Sequence, residues 1–106
     1  MRVLLKVEFD LEAGNAAIRN GTLPKTIQSI LDEQKPEAVY FLASNGKRTA
    51  LIVVDLKDPS QIPALAEPWF LALNASIEIQ PVMTPADLAK AGPAIEAAVK
   101  KYAMNR

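Results

Sequence analysis

The feature that most constrains this chain is an apolar run at residues 38–44, an Asn45-Gly46 pair, and a second apolar run at residues 47–56. Asn-Gly tolerates the positive φ angles of a two-residue turn, so the pattern predicts a β-hairpin. A two-residue loop sets every cross-strand pair by counting outward: Ser44 faces Lys47, Phe41 faces Ala50, Tyr40 faces Leu51 and Val39 faces Ile52. One face then holds Val39, Phe41, Ala43, Ala50, Ile52 and Val54, apolar apart from Arg48 near the turn, and is expected to lie under helices. The other mixes Tyr40, Leu42, Leu51 and Val53 with Thr49 and Asp55.

Two further strands read from the same period. Residues 2–9 alternate, with Val3, Leu5, Val7 and Phe9 on one side and Arg2, Leu4, Lys6 and Glu8 on the other. Residues 75–82 set Ile77 and Ile79 against Ser76, Glu78 and Gln80, and Pro81 confines that strand to an edge or a strand end. Between them the spacing becomes helical. A short helix over residues 11–20 feeds a longer one that carries Leu23, Ile27, Ile30 and Leu31 and stops near Lys35, because Pro36 does not continue a helix. After Asp58-Pro59-Ser60 a second helical stretch repeats Ile62, Leu65, Trp69 and Leu73, with a kink or break expected near Pro68. Thr84-Pro85-Ala86-Asp87 signals a last helix start. Beyond Gly92-Pro93 the stripe Ile95, Val99, Tyr102 is expected to pack by one face, with Glu96 and Lys100 paired on the other.

Strand, helix, strand, strand, helix, strand, helix is the split βαβ order. It predicts an α+β, ferredoxin-like four-stranded antiparallel sheet of order 4-1-3-2, with helices on one face and an extra C-terminal helix. Residues 1–106, half of them hydrophobic, suit a single domain.

Composition removes several function classes. The 12 basic and 12 acidic residues cancel and no basic cluster stands clear of acids, so no nucleic-acid partner is expected. The apolar opening is broken by Arg2, Lys6, Glu8 and Asp10, too early for a signal-peptide core or a membrane span, which makes a cytoplasmic protein with no membrane partner the expectation. With no Cys and no His, disulfides, thiol nucleophiles, imidazole acid/base chemistry, the common zinc sites and axial haem ligation are excluded. No cofactor and no metal are expected.

The open sheet face carries Leu4, Tyr40, Leu42, Leu51 and Val53 beside Lys6, Glu8, Asp55, Glu78 and Gln80. Burying five large apolar side chains at roughly 25 cal/mol per Å² favours stacking against a second sheet, so a homodimer through this face is expected. Element order and mixed face together resemble the dimeric α/β-barrel superfamily, in which two ferredoxin-like subunits stack their sheets and often keep a small-molecule cavity. The stretch at residues 12–25, from Glu12-Ala13-Gly14-Asn15 to Thr22-Leu23-Pro24-Lys25, resembles an uncharacterised family of small bacterial proteins. That resemblance implies a bacterial origin and brings no enzyme motif.

Candidate ligand-binding residues fall in three places. Lys6, Glu8 and Glu78 share the open face, where a lysine between carboxylates suits substrate binding, acid/base work or a structural ion pair. Tyr40 joins them on that face, while Asp55 lies about four residues further along the ladder, too far to act with it. Arg19, with Asn15, Asn20, Thr22 and Lys25, gathers donors at a helix entrance, where an anion site and plain capping compete. Trp69 beside Pro68 suits either a pocket wall or the core. The leading reading is a homodimer binding a small, partly apolar ligand. Alternatives are a cofactor-independent oxygenase or isomerase of the dimeric α/β-barrel type, and a structural protein-interaction module.

Overall fold

The computed structural model describes residues 1–103. Strand β1 (Arg2–Glu8) is followed by helices α1 (Leu11–Arg19) and α2 (Leu23–Gln34), then by β2 (Ala38–Ser44) and β3 (Lys47–Asp55). A single 3-10 turn (Pro59–Gln61) leads into α3 (Ile62–Leu73), β4 (Ser76–Pro81), α4 (Pro85–Lys90) and α5 (Gly92–Tyr102). The four strands form one antiparallel sheet in the order β2-β3-β1-β4, the ferredoxin-like arrangement.

The hairpin turn has the backbone that its sequence demands. Asn45 (φ 56°) and Gly46 (φ 71°) both lie in the left-handed region, and the register runs Ser44–Lys47, Phe41–Ala50, Tyr40–Leu51, Val39–Ile52. At the far edge the Val82 N–H donates to the Arg2 carbonyl (3.1 Å). Alternation therefore turns the position of the missing Pro81 N–H outward, where no ladder bond is lost.

Val3, Leu5, Val7 and Phe9 of one strand and Ala50, Ile52 and Val54 of its neighbour are buried against Ala17, Leu23, Ile30, Leu65, Trp69 and Leu73 from the three helices. Phe9 and Trp69 stack with ring centroids 5.7 Å apart and planes 14° from parallel. This aromatic pair joins the end of β1 to the middle of α3.

Helix α3 shows no break at Pro68, one of the two outcomes expected there. The helix is continuous from Ile62 to Leu73, with Pro63 absorbed in its first turn and Pro68 in its interior. Proline cannot donate to the Ala64 carbonyl four residues earlier. The side-chain amide of Gln34, at the end of α2, supplies donors instead, reaching the carbonyls of Ala64 (3.4 Å) and Leu65 (2.9 Å). Its oxygen in turn accepts from the Trp69 indole N–H (3.3 Å). One side chain thus repairs the helix and satisfies a buried indole.

The C-terminal arm also departs from expectation. Its start forms as the sequence signals: the Asp87 N–H donates to the Thr84 hydroxyl (3.1 Å), and the Thr84 N–H to the Asp87 carboxylate (2.9 Å). The apolar stripe, however, does not pack. Ile95, Val99 and Tyr102 are 53%, 44% and 66% exposed. Glu96 and Lys100 form no ion pair among the described residues. The arm projects from the body, which gives a long axis of 63 Å and a radius of gyration of 18.2 Å, against about 13 Å for a compact chain of this length. No helix among the described residues is long and apolar enough to cross a membrane.

Candidate functional site

Four of the six residues singled out from sequence come together on the open sheet face. Strand pairing places Tyr40, Leu51, Lys6 and Glu78 in one row across all four strands, with Glu8 two residues along from Lys6. Lys6 Nζ lies 3.5 Å from Glu8 Oε1, and the Asn45 side-chain amide donates to the same oxygen at 2.8 Å. The Asn45 amide, followed by the Lys6 ammonium, holds the Glu8 carboxyl below the usual carboxylate range. Glu8 is therefore an anchored anion that ties the hairpin turn to β1. Glu78 sits opposite Lys6 in register yet is exposed and forms no ion pair with it. Tyr40 is 66% exposed at the end of the row.

Arg19 and Trp69 stand apart from that row. Arg19 is exposed at the C-terminal end of α1, outside the open face. In the adjoining loop the Asn20 side-chain oxygen accepts from both the N–H and the hydroxyl of Thr22 (3.0 and 2.6 Å), so the polar groups there close their own turn. Trp69 has no exposed surface and lies in the core, stacked on Phe9 and bonded to Gln34. It walls no pocket. Asp55, at the far end of β3, accepts from the N-terminal ammonium (3.1 Å) and from Lys57.

The face expected to lie wholly under helices is only partly covered. Ala50, Ile52 and Val54 are buried and Val39 is half-buried, but Phe41 is 57% exposed and Ala43 is also exposed. The cause is the reach of the helical layer. Helix α1 packs on β3 and α3 on β4, which leaves the turn end of the edge strand β2 bare. An open groove of about 590 Å³ runs along this gap, between β2 and the α1–α2 side of the core. Phe9 forms its floor, Leu11, Leu23 and Ile27 one wall, and Phe41 and Ala43 the other.

Two basic residues, Lys47 and Arg48, line this apolar groove. Arg48 lies on the helix side of β3 and is half-buried, and its Nη1 donates to the Asn15 side-chain oxygen at 2.9 Å. The guanidinium passes over Gly14, where a Cβ would stand 3.0 Å from Nη1, so the absence of a side chain there makes room for it. Among the described residues no carboxylate lies within ion-pair distance of Arg48. The sequence marks Arg48 as the polar exception on its face, but Asn15 and Gly14 are more than thirty residues away in the chain. A second surface depression is set among charged groups, beside Glu33, Lys35, Glu37 and Asp55.

The chain belongs to the family described as Domain of unknown function (DUF3303), which matches residues 10–96. No curated protein matches the chain.

Proposed function

We propose that this member of the family is a binding protein for a small, partly apolar ligand and that it works as a homodimer stacked through its open sheet face. The observation that carries the reading is the apolar groove of about 590 Å³ beside β2. Its volume is that of a small-molecule site, and its walls are aliphatic and aromatic with few polar groups, as such sites commonly are. The homodimer rests on the opposite face, where Leu42 and Tyr40 are exposed and Leu4, Leu51 and Val53 are half-covered by neighbours within the sheet. A second sheet laid on that face removes them from water, while Phe9, Leu11, Leu23, Ile27 and Phe41 of the groove lie on the helix side of the sheet. The same reading takes residues 1–106 as one domain of a bacterial cytoplasmic protein, following the resemblance of residues 12–25.

Trp69 supplies the assay, because the groove floor, Phe9, is stacked directly on it. Titration with decanol is expected to change Trp69 emission saturably, and Phe41→Asp to weaken the binding by at least about fivefold, the effect of losing one large apolar contact. A linear, unsaturable response in the wild-type protein overturns the ligand reading. Light scattering over a dilution series is expected to give twice the mass of one chain; a monomer at high concentration overturns the homodimer.

A further inference from the structure

We infer that the groove takes an amphiphilic monocarboxylate, its apolar body between Phe41 and the α1–α2 wall and its carboxylate on the guanidinium of Arg48, an inference that rests on the small-ligand reading above. A half-buried cation at the edge of an apolar surface loses hydration without gaining an opposite charge in this chain. Arg48 offers five N–H donors and uses one of them on Asn15, which leaves its planar fork to donate bidentately to a carboxylate.

The surroundings hold the fork in place. Asn15 is a neutral acceptor, so it orients the guanidinium without consuming its charge. Gly14 leaves the space through which the side chain passes over α1. Lys47, the preceding residue, lines the same groove but belongs to the opposite face of β3, where its charge acts on Glu8. Arg48 is therefore the head-group ligand. The apolar walls reject a fully hydrated anion such as a free phosphate, and an uncharged hydrocarbon leaves the guanidinium unpaired. Only a ligand with both parts satisfies the whole groove.

Calorimetric titration of the full chain with decanoate and with decanol, probes of equal chain length, tests the inference. Decanoate is expected to bind at least about tenfold more tightly, as a charge-assisted bidentate pair gives. In Arg48→Met the preference for decanoate over decanol is expected to fall below about twofold, and in Arg48→Lys to be only partly retained. Equal binding of both probes by the wild-type protein overturns the carboxylate inference and leaves the groove reading intact, and that comparison needs no variant to fold. Binding of neither probe refutes the groove reading itself, as when a second copy occupies the groove. A preference for decanoate that survives in a folded Arg48→Met places the head group elsewhere and overturns the assignment.

Discussion

Gln34 is the residue whose replacement most sharply tests how this fold is held together. It joins α2 to α3 through three hydrogen bonds, to the carbonyls of Ala64 and Leu65 and from the indole of Trp69. Gln34→Leu keeps the size and the aliphatic stem of the side chain and removes all three. Ala64, Leu65 and Gln34 border the open depression beside Glu33, Lys35 and Glu37, where water replaces a lost amide at little expense. The Trp69 side chain has no exposed surface, so its N–H is left without a partner at about 1–3 kcal/mol. A total near 2 kcal/mol follows, which for a chain of this length lowers Tm by roughly 8–16 °C. Urea unfolding followed by Trp69 emission and by far-ultraviolet circular dichroism measures it. Gln28→Leu is the control, since Gln28 bonds only the exposed Asp32 within its own helix (2.7 Å) and is expected to change stability by less than about 0.5 kcal/mol. Gln34→Glu keeps an acceptor for the indole and loses the donor, so it is expected to fall between the two. A Gln34→Leu variant as stable as the control would refute the claim that this amide repairs α3.

Other expectations follow from the charges and the arm. The carboxyls of Glu8, Asp55, Asp58 and Asp87 are held below their ordinary range by Asn45, Lys57, Ser60 and the Thr84 backbone respectively. Each folded pKa lies under its unfolded value, so the stability these groups contribute is complete above the ordinary carboxylate range, near about pH 4, and is lost as the pH falls through the lowered values. Asp55, Asp58 and Asp87 are exposed, so their shares are small, while Glu8 is half-buried. With no histidine in the chain, Tm is expected to be flat between about pH 5.5 and 7 and to decline below about pH 4.5; a decline beginning above pH 6 would show a different titrating group. Ile95→Ser on the projecting arm is expected to leave urea unfolding of the body within about 0.5 kcal/mol of wild type, because Ile95 is 53% exposed and lies outside the hydrophobic core. A loss above 1 kcal/mol would show that another copy covers it.

The strands and their register were legible because their determinants are local. Asn45-Gly46 permits one turn, and the turn dictates every pair across β2 and β3; Thr84 and Asp87, three residues apart, cap each other. What could not be read was set by residues distant in sequence. Pro68 predicts a kink or a break by local rules, and the amide that serves the helix there comes from Gln34, in another element. Alternation assigns Phe41 to the helix side of the sheet but carries no information on how far the helices extend, and they stop short of the edge strand. The stripe Ile95, Val99, Tyr102 shows that the arm has an apolar face, and nothing in the pattern says which chain covers it. The candidate site divides in the same way. Lys6, Glu8, Tyr40 and Glu78 meet because strand register brings them together. Trp69 goes to the core, and the Arg48–Asn15–Gly14 arrangement depends on the packing of α1 over β3, which a single sequence does not show.

Amide chemical-shift mapping of the ¹⁵N-labelled protein during a decanoate titration tests the central claim, that the uncovered end of β2 is the ligand site, most directly. Saturable shifts centred on Phe9, Phe41, Ala43, Gly46 and Arg48, with Lys6, Glu78 and Gln80 on the opposite face unmoved, are the predicted result. Shifts centred on Lys6 and Glu78, or a weak response spread over the whole surface without saturation, would contradict it.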